Sequence, residues 1–255
     1  MIETKCETCK VHQHHEIYFI ILAFFSELIG TVSGVSSSTL FVPLGKLFES
    51  FQVTLALTAT LHVLGNSFRT VMYWKNINWR LTLRFGIPSI FFTGLGAQYS
   101  DLFSEKSYSV ALGIFLISIS TYFLFFKKKQ LFGGPWIPYI GGALSGLLTG
   151  MIGSGGAVRS LALTAFNLNP LAFTATSTLI DFGGDIFRFV VYFKKGYLNQ
   201  EHYFYFPFLI FIAFVANWIA NRWLKRIKKE RFEKIVLYFV FFMGLVSIAT
   251  SLLGN

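Results

Sequence analysis

Eight apolar runs limit what this chain can fold into. The three longest of those without any charged residue are Ser107–Phe126, Tyr203–Asn221 and Ile235–Asn255. Each is close to the ~20 residues that an α-helix needs to cross a membrane. The others are Ile17–Val35, Val53–Tyr73, Phe85–Tyr99, Ile137–Ile152 and Leu171–Phe193. Since only 13% of the residues are charged, against about 25% in a soluble domain, we expect an all-α, polytopic membrane protein.

The net charge of +10 could suggest a nucleic-acid partner, but the positions of the basic residues argue against one. They cluster between apolar runs, at Lys127–Lys129 and in the segment Arg222–Arg231. Such clusters are typical of loops that face the cytoplasm. We therefore predict a multi-pass protein of the plasma membrane (the bacterial inner membrane), with the lipid bilayer as its surroundings, no nucleic-acid partner and no cofactor.

The chain contains an internal repeat at an offset of 119 residues. FRTVMYWK, from Phe68, matches FRFVVYFK, from Phe187, and SGVSSSTLFVP, from Ser33, matches IGSGGAVRSLA, from Ile152. Internal repeats are a common way to build transporters. We divide the chain into an N-terminal tail (1–16), a first membrane repeat (17–126), a basic linker (127–135) and a second membrane repeat (136–255).

The distribution of basic residues favours inverted repeats. If all eight runs cross the membrane, Lys and Arg are shared almost evenly between its two sides. If the segments around Gly34 and Gly153 instead enter and return as broken, re-entrant hairpins, each repeat has three crossings and the repeats are inverted. One side then holds 13 Lys and Arg residues and the other six, which satisfies the positive-inside rule and places both termini outside the cytoplasm.

The two predicted breaks suggest a site for an anion. Irregular backbone at membrane depth is tolerated only where it faces protein, water or a ligand. The second break contains Gly153, Ser154, Gly155 and Gly156, whose flexibility permits a turn and the close approach of a substrate. The first contains Ser36, Ser37, Ser38 and Thr39, whose hydroxyls can cap a half-helix or bind a ligand. Two half-helix N-termini that meet would attract an anion.

Polar residues within the apolar segments follow the same repeat. His62, Asn66 and Arg69 have the spacing of one helix face, and Asp181, Asp185 and Arg188 share it at an offset of 119. Buried polar residues in a membrane are costly, so each is a functional hypothesis. We predict that Arg159, with Arg69 or Arg188, binds an oxyanion through the planar guanidinium fork. Asp181, Asp185 and His62 are the candidates for carrying a coupled proton.

Structural explanations exist for the same residues. Asp185 and Arg188 can neutralise each other as an i, i+3 pair, and Arg69 and Arg188 can extend towards the membrane surface. The glycines can form a close helix crossing. Glu27 can be a site carboxylate or a residue hydrogen-bonded to its helix neighbours, and His62 can be a buried histidine whose hydrogen bonds are satisfied.

Two other classes of function could use polar residues of this chain. A metal or other cation transporter would use Glu27, Asp181, Asp185, His62 and the N-terminal cluster of Cys6, Cys9, His12, His14 and His15. The three intramembrane arginines argue against a cation path, and the spacing of the cluster matches no standard zinc site, so we predict no metal site. An intramembrane enzyme using Ser154 is also disfavoured, because no G-x-S-x-G pattern is present.

These motifs resemble those of the TauE/SafE family of sulfite-exporter-like permeases. Its two halves each open with a segment of the form G-x-G-G-G-x-x-x-V-P; GVSSSTLFVP (34–43) keeps the first glycine and the Val-Pro ending, and GSGGAVRSLA (153–162) keeps three glycines. TATSTLIDF (174–182) and the Y-[WF]-K loops are also similar. The resemblance covers Ile17–Leu253 and implies transport of a sulfur oxyanion or short organosulfonate such as sulfite. The serines of the first motif and Arg159 depart from the family pattern.

Overall fold

The computed structural model describes residues 3–100, 105–125 and 134–253, and in these ranges it is helical without any strand. The α-helices are α1 Glu3–Ser33, α2 Ser38–Gly45, α3 Phe51–Tyr73, α4 Trp79–Gln98, α5 Glu105–Phe125, α6 Ile137–Ile152, α7 Gly156–Thr164, α8 Pro170–Lys194, α9 Tyr205–Leu224 and α10 Lys229–Leu253. Short 3₁₀ helices follow α3 and precede α9. The prediction of an all-α, polytopic membrane protein is confirmed.

Local capping explains where the long inner helices begin. The side chains of Ser50, Asn78 and Asn169 accept hydrogen bonds from the backbone N–H groups of the first turns of α3, α4 and α8. Each cap satisfies a donor that the helix itself leaves free. Pro170 adds a backbone already suited to the first helical position of α8.

The outer surface is apolar and the interior contains polar groups. Val71, Ile87 and Phe125 are among the most exposed large apolar side chains, as expected of a surface that faces lipid. Three helical segments of the described chain are long and apolar enough to cross a membrane by length and composition: Glu16–Ser33, Gln200–Leu224 and Glu230–Leu252. Helix α6 is a shorter apolar helix.

In the described ranges the eight predicted runs become ten α-helices, because each repeat begins with a broken pair. Helix α2 folds back along α1: an added Cβ on Gly30 would meet Ser37 at 2.6 Å, and the rings of Phe19 and Phe41 lie 4.9 Å apart. Helix α7 folds back along α6 in the same way, since an added Cβ on Gly141 would lie 3.0 Å from Ala162. The broken hairpins expected from the sequence are therefore present.

The two repeats, α1–α5 and α6–α10, are inverted. Helices α3 and α8 pack against each other and run antiparallel: His62 contacts Arg188, Asn66 contacts Asp185 and Asn78 contacts Thr176, so positions on α8 fall as those on α3 rise. Helix α4 packs on α6, and the equivalent pair, α9 and α1, packs in the same way. Helix α5 packs on its counterpart α10. Antiparallel packing of equivalent helices requires a two-fold axis across them.

The ends of the predicted segments differ in part from the structure. Helix α1 begins at Glu3, so most of the stretch treated as a tail (1–16) is a helical extension, while the side chains of the Cys/His cluster lie outside the described residues. Most of the basic linker (127–135) also lies outside them. The repeat boundaries themselves stay a prediction.

A stripe of glycines joins α6 to α4. Gly142, Gly146 and Gly150 lie one helical turn apart, and an added Cβ on each would overlap a backbone carbonyl oxygen of Phe85, Ser89 or Thr93 in turn. The two helix backbones are therefore as close as glycine allows, and the helices run parallel. This is the close helix crossing considered for the glycines, but it lies upstream of the break.

Replacing the central glycine of this stripe should destabilise the protein. We expect Gly146→Ala to lower the free energy of unfolding by about 1–3 kcal/mol, because the new methyl group forces the helices apart. The control is Gly86→Ala on α4, where the nearest atom to an added Cβ is 3.9 Å away. Thermal unfolding in detergent, followed by tryptophan fluorescence, should separate the two variants; equal stability would contradict the close contact.

Candidate functional site

The two breaks meet at the centre of the fold. Gly34 and Gly153, equivalent in the repeat, both have left-handed backbone, with φ of +70° and +71°. An added Cβ on Gly156 would overlap the side chain of Ser36, and the Ser160 hydroxyl donates to the carbonyl oxygen of Gly34 at 3.0 Å. The N-termini of α2 and α7 therefore lie side by side, as the sequence predicted.

The nearest neighbours of the glycines in the second break are protein atoms. An added Cβ on Gly155 would overlap Ser145 and Thr149 of α6, and one on Gly153 would lie 2.9 Å from both Leu55 and Val42. These glycines thus allow close approach between protein segments. Ser154 is buried, and its hydroxyl makes only a long 3.5 Å contact with the Ile152 carbonyl oxygen.

The polar stripes of α3 and α8 form a buried network. Asn66 donates to the Asp185 carboxylate at 2.6 Å, and Arg188 Nε donates to the other oxygen of that carboxylate at 2.8 Å. Arg188 is 0% exposed and Arg69 is 6% exposed. Neither arginine extends to the membrane surface, and the i, i+3 ion pair between Asp185 and Arg188 is present.

A chain of hydrogen bonds connects the stripes to the first break. Arg188 Nη2 donates to His62 Nδ1 at 3.0 Å, so the neutral ring has its proton on Nε2. Nε2 lies 2.7 Å from the Ser37 hydroxyl, which donates to Glu27 at 2.5 Å. Ser37 is the N-cap residue of α2, yet its side chain makes no capping hydrogen bond; the serines of this break bind side chains instead.

Arg69 connects its own helix, α3, to α1. It donates to Asn66 at 2.6 Å and to Thr31 at 2.7 Å, and it lies 3.4 Å from the Glu27 carboxylate. Asn217 on α9 completes this group, donating to Glu27 at 3.0 Å and accepting from Thr31 at 2.9 Å. The partners of Glu27 thus lie on other elements, not on its own helix. Thr31 and Asn217 were not predicted, although Asn217 is the one amide well inside the apolar run Tyr203–Asn221.

Arg159 forms a third ion pair at the start of α7. Its Nη1 donates to the Asp181 carboxylate, and its Nε donates to the Ser177 hydroxyl at 2.8 Å. Arg159 is 1% exposed. The three intramembrane arginines are thus each paired with a carboxylate, Arg69 with Glu27, Arg159 with Asp181 and Arg188 with Asp185, so the network is close to neutral when His62 is uncharged.

A small cavity lies where these groups converge. The space open to the centre of a water molecule is about 10 Å³, enough for about one water. Its charged lining residues are Arg69, Arg159 and Asp181, and Ser36, Asn66 and Ser177 line it as well. Of the predicted site residues, Ser36, Arg69, Arg159 and Asp181 are therefore brought together around one space.

The other predicted residues lie outside this cavity lining: Ser37, Ser38, Thr39, His62, Gly153, Ser154, Gly155, Gly156, Asp185 and Arg188. Thr39 Oγ1 and Arg188 Nη1 are buried without a hydrogen-bond partner among the described residues. Within the part of the chain whose side chains are described, no three His, Cys, Asp or Glu side chains are grouped as metal ligands.

Comparison with protein families identifies the family of the chain. The model of one family, described as sulfite exporter TauE/SafE, matches residues 19–247, which include both broken hairpins and both polar stripes. The chain belongs to the TauE/SafE family. No curated protein and no solved structure matches it.

The TauE/SafE family is a family of membrane transporters that export sulfur compounds, so this protein is a membrane transporter. The family is not a family of enzymes. The two halves of this TauE/SafE protein differ in the residues at their breaks. Ser36 and Ser37 occupy the first break where Gly155 and Gly156 occupy the second, and Arg159 corresponds to Leu40 in the first repeat.

Proposed function

We propose that this protein is a permease of the plasma membrane for a small sulfur oxyanion or organosulfonate such as sulfite. The observation that carries the proposal is the cavity between the two broken hairpins, which Arg69 and Arg159 line. A guanidinium group offers parallel N–H donors that match the oxygens of an oxyanion. Two such groups at one buried space favour an anion over a cation.

The size of the cavity supports alternating access. Sulfite has four heavy atoms, whereas the space holds about one water molecule. The anion can therefore enter only when the two halves separate on one side of the membrane. Export of one negative charge is favoured by an inside-negative potential, by ~2.3 kcal/mol per 100 mV. Import requires a coupled cation, and the candidate proton carriers are Asp181, Asp185 and His62.

A cation or metal transporter is the weaker candidate. Each intramembrane carboxylate that it would use, on Glu27, Asp181 or Asp185, is already paired with an arginine. A cation entering this network would have to displace an arginine from one of these carboxylates.

Ligand-induced thermal stabilisation of the purified protein tests the proposal. Sulfite, thiosulfate and methanesulfonate should raise the unfolding temperature in detergent, while divalent metal ions should not. At an anion concentration about 100 times Kd, the expected stabilisation is about 2.7 kcal/mol. For a chain of this length that corresponds to about 5 °C.

Arg159→Gln should abolish this stabilisation, because it removes a guanidinium from the cavity. Arg222→Gln is the matched control: Arg222 is exposed and stacks on Trp218 with 3.7 Å between guanidinium and ring centroid, away from the site. Stabilisation by metal ions alone, unchanged in Arg159→Gln, would contradict an anion permease.

A further inference from the structure

Asp181 is the one carboxylate that lines the cavity in the described part of the chain. Glu27 and Asp185 belong to the surrounding network but are absent from the lining. Their side chains are 0% and 1% exposed, whereas that of Asp181 is 11% exposed. The cavity therefore joins one accessible carboxylate to Arg159, the cation that the proposed anion would bind.

Asp181 is also the least firmly held of the three carboxylates. Asp185 is bound by Arg188 and Asn66, with His62 Nδ1 at 3.5 Å. Glu27 is bound by Ser37 and Asn217, with Arg69 at 3.4 Å. Among the described residues, Arg159 alone donates a hydrogen bond to Asp181. Release of Asp181 therefore breaks one pairing, while release of either of the others breaks a network.

The Arg159–Asp181 pair already has the chemistry of a bound substrate. A carboxylate offers two oxygens to a guanidinium, as an oxyanion does. The remaining cavity is too small to hold an oxyanion beside the paired Asp181 carboxylate. The pair has no counterpart in the first repeat, where Leu40 and His62 occupy the equivalent positions. Competition between Asp181 and an anion for Arg159 is thus confined to the second repeat.

Loss of Arg159 would leave Asp181 as a buried, uncompensated charge. Such a group neutralises itself by taking up a proton. The other charged groups that face it are Arg69 of α3, which shares the cavity and is itself paired with Glu27 of α1, and Asp185 and Arg188 on its own helix, which pair with each other. None of these pairs has a cation free to replace Arg159.

Resting on the proposed function, we propose that Asp181 is an internal competitor of the transported anion: the anion displaces the Asp181 carboxylate from Arg159, and Asp181 takes up one proton. The proton comes from solution on the side where the cavity is open and is held on an Asp181 carboxylate oxygen. Anion and proton then occupy the site together, which makes anion movement dependent on the proton gradient.

Calorimetry with the full-length protein in detergent tests this exchange. The probes are thiosulfate and methanesulfonate, neither of which takes up a proton near neutral pH. Titrations in two buffers of different ionisation enthalpy give the number of protons taken up. We expect about one proton per anion in the wild type, so affinity should fall about tenfold for each unit that the pH rises.

Asp181→Asn should bind the probes with no proton uptake and no pH dependence. At pH 8 its affinity should be about tenfold higher than that of the wild type, because no carboxylate competes for Arg159. Asp181→Glu is the conservative control and should retain proton uptake. A purely structural role for Asp181 would instead weaken binding in Asp181→Asn without changing the proton count.

The outcomes separate the two proposals. Zero proton uptake by the wild type overturns the exchange and leaves anion transport intact, and this measurement needs no variant to fold. Proton uptake that persists in Asp181→Asn also overturns the exchange. If neither probe binds but sulfite does, the exchange alone fails; if no anion binds, the proposed function fails with it.

Discussion

Asp185→Ala should lower the free energy of unfolding by about 3–5 kcal/mol, the typical effect of removing one partner from a buried ion pair. The carboxylate accepts from Arg188 Nε at 2.8 Å and from Asn66 at 2.6 Å. Since Arg188 is 0% exposed, its charge would remain buried without a counter-charge. SDS titration in mixed micelles measures the difference.

Two further variants serve as controls for this measurement. In Asp185→Ala/Arg188→Met both charges are gone, so much of the lost stability should return. Glu201→Ala removes an exposed carboxylate near α9 and should leave stability within about 0.5 kcal/mol of the wild type. If Asp185→Ala were as stable as Glu201→Ala, the contacts of the Asp185 carboxylate with Arg188 and Asn66 would contribute nothing to stability.

Gly153→Ala should be almost as damaging, by about 2–4 kcal/mol, for two separate reasons. Its φ of +71° disfavours any residue with a Cβ. An added Cβ would also lie 2.9 Å from both Leu55 and Val42, and overpacking of this kind typically costs about 1–3 kcal/mol. Unfolding in the same mixed micelles gives the total effect.

Gly196→Ala isolates the backbone contribution. Gly196 has the same φ of +71°, but no atom lies within 4 Å of an added Cβ, so only about 1–2 kcal/mol of strain is expected. Gly34→Ala, with φ of +70° and Phe232 at 2.6 Å, should behave like Gly153→Ala. Equal effects at Gly153 and Gly196 would show that packing at the break contributes nothing.

The sequence was sufficient to predict the fold because its signals are local and repeated. Gly34 and Gly153 were paired by an offset of 119, and the structure gives them nearly the same left-handed φ. The polar residues of α3 and α8 were paired in the same way, and Asn66 and Asp185 are in direct contact. Inverted repeats bring equivalent positions together at the two-fold axis, so an offset in sequence becomes a contact in space.

The pairings within the site could not be read from the sequence. Glu27 and Asn217 are 190 residues apart and share no motif, and their contact depends on how α1 and α9 pack. The arginines were predicted as anion ligands, and each also has a carboxylate partner, which spacing indicated only for Arg188 and Asp185. The apolar runs gave no bounds for helix α2, the half-helix expected after the first break, because Ser38–Gly45 is too short to count as an apolar run.

The α4–α6 and α1–α9 interfaces are equivalent in the repeat, but different contacts hold them together. Gly146 and Gly150 bring α6 against α4 backbone to backbone, whereas the matching positions on α1 are Glu27 and Thr31, which hold α9 through hydrogen bonds to Asn217. Identical halves would make the inward-open and outward-open forms mirror one another in energy. Under the proposed alternating access, no such equality is imposed here, so the resting protein is free to favour one side of the membrane.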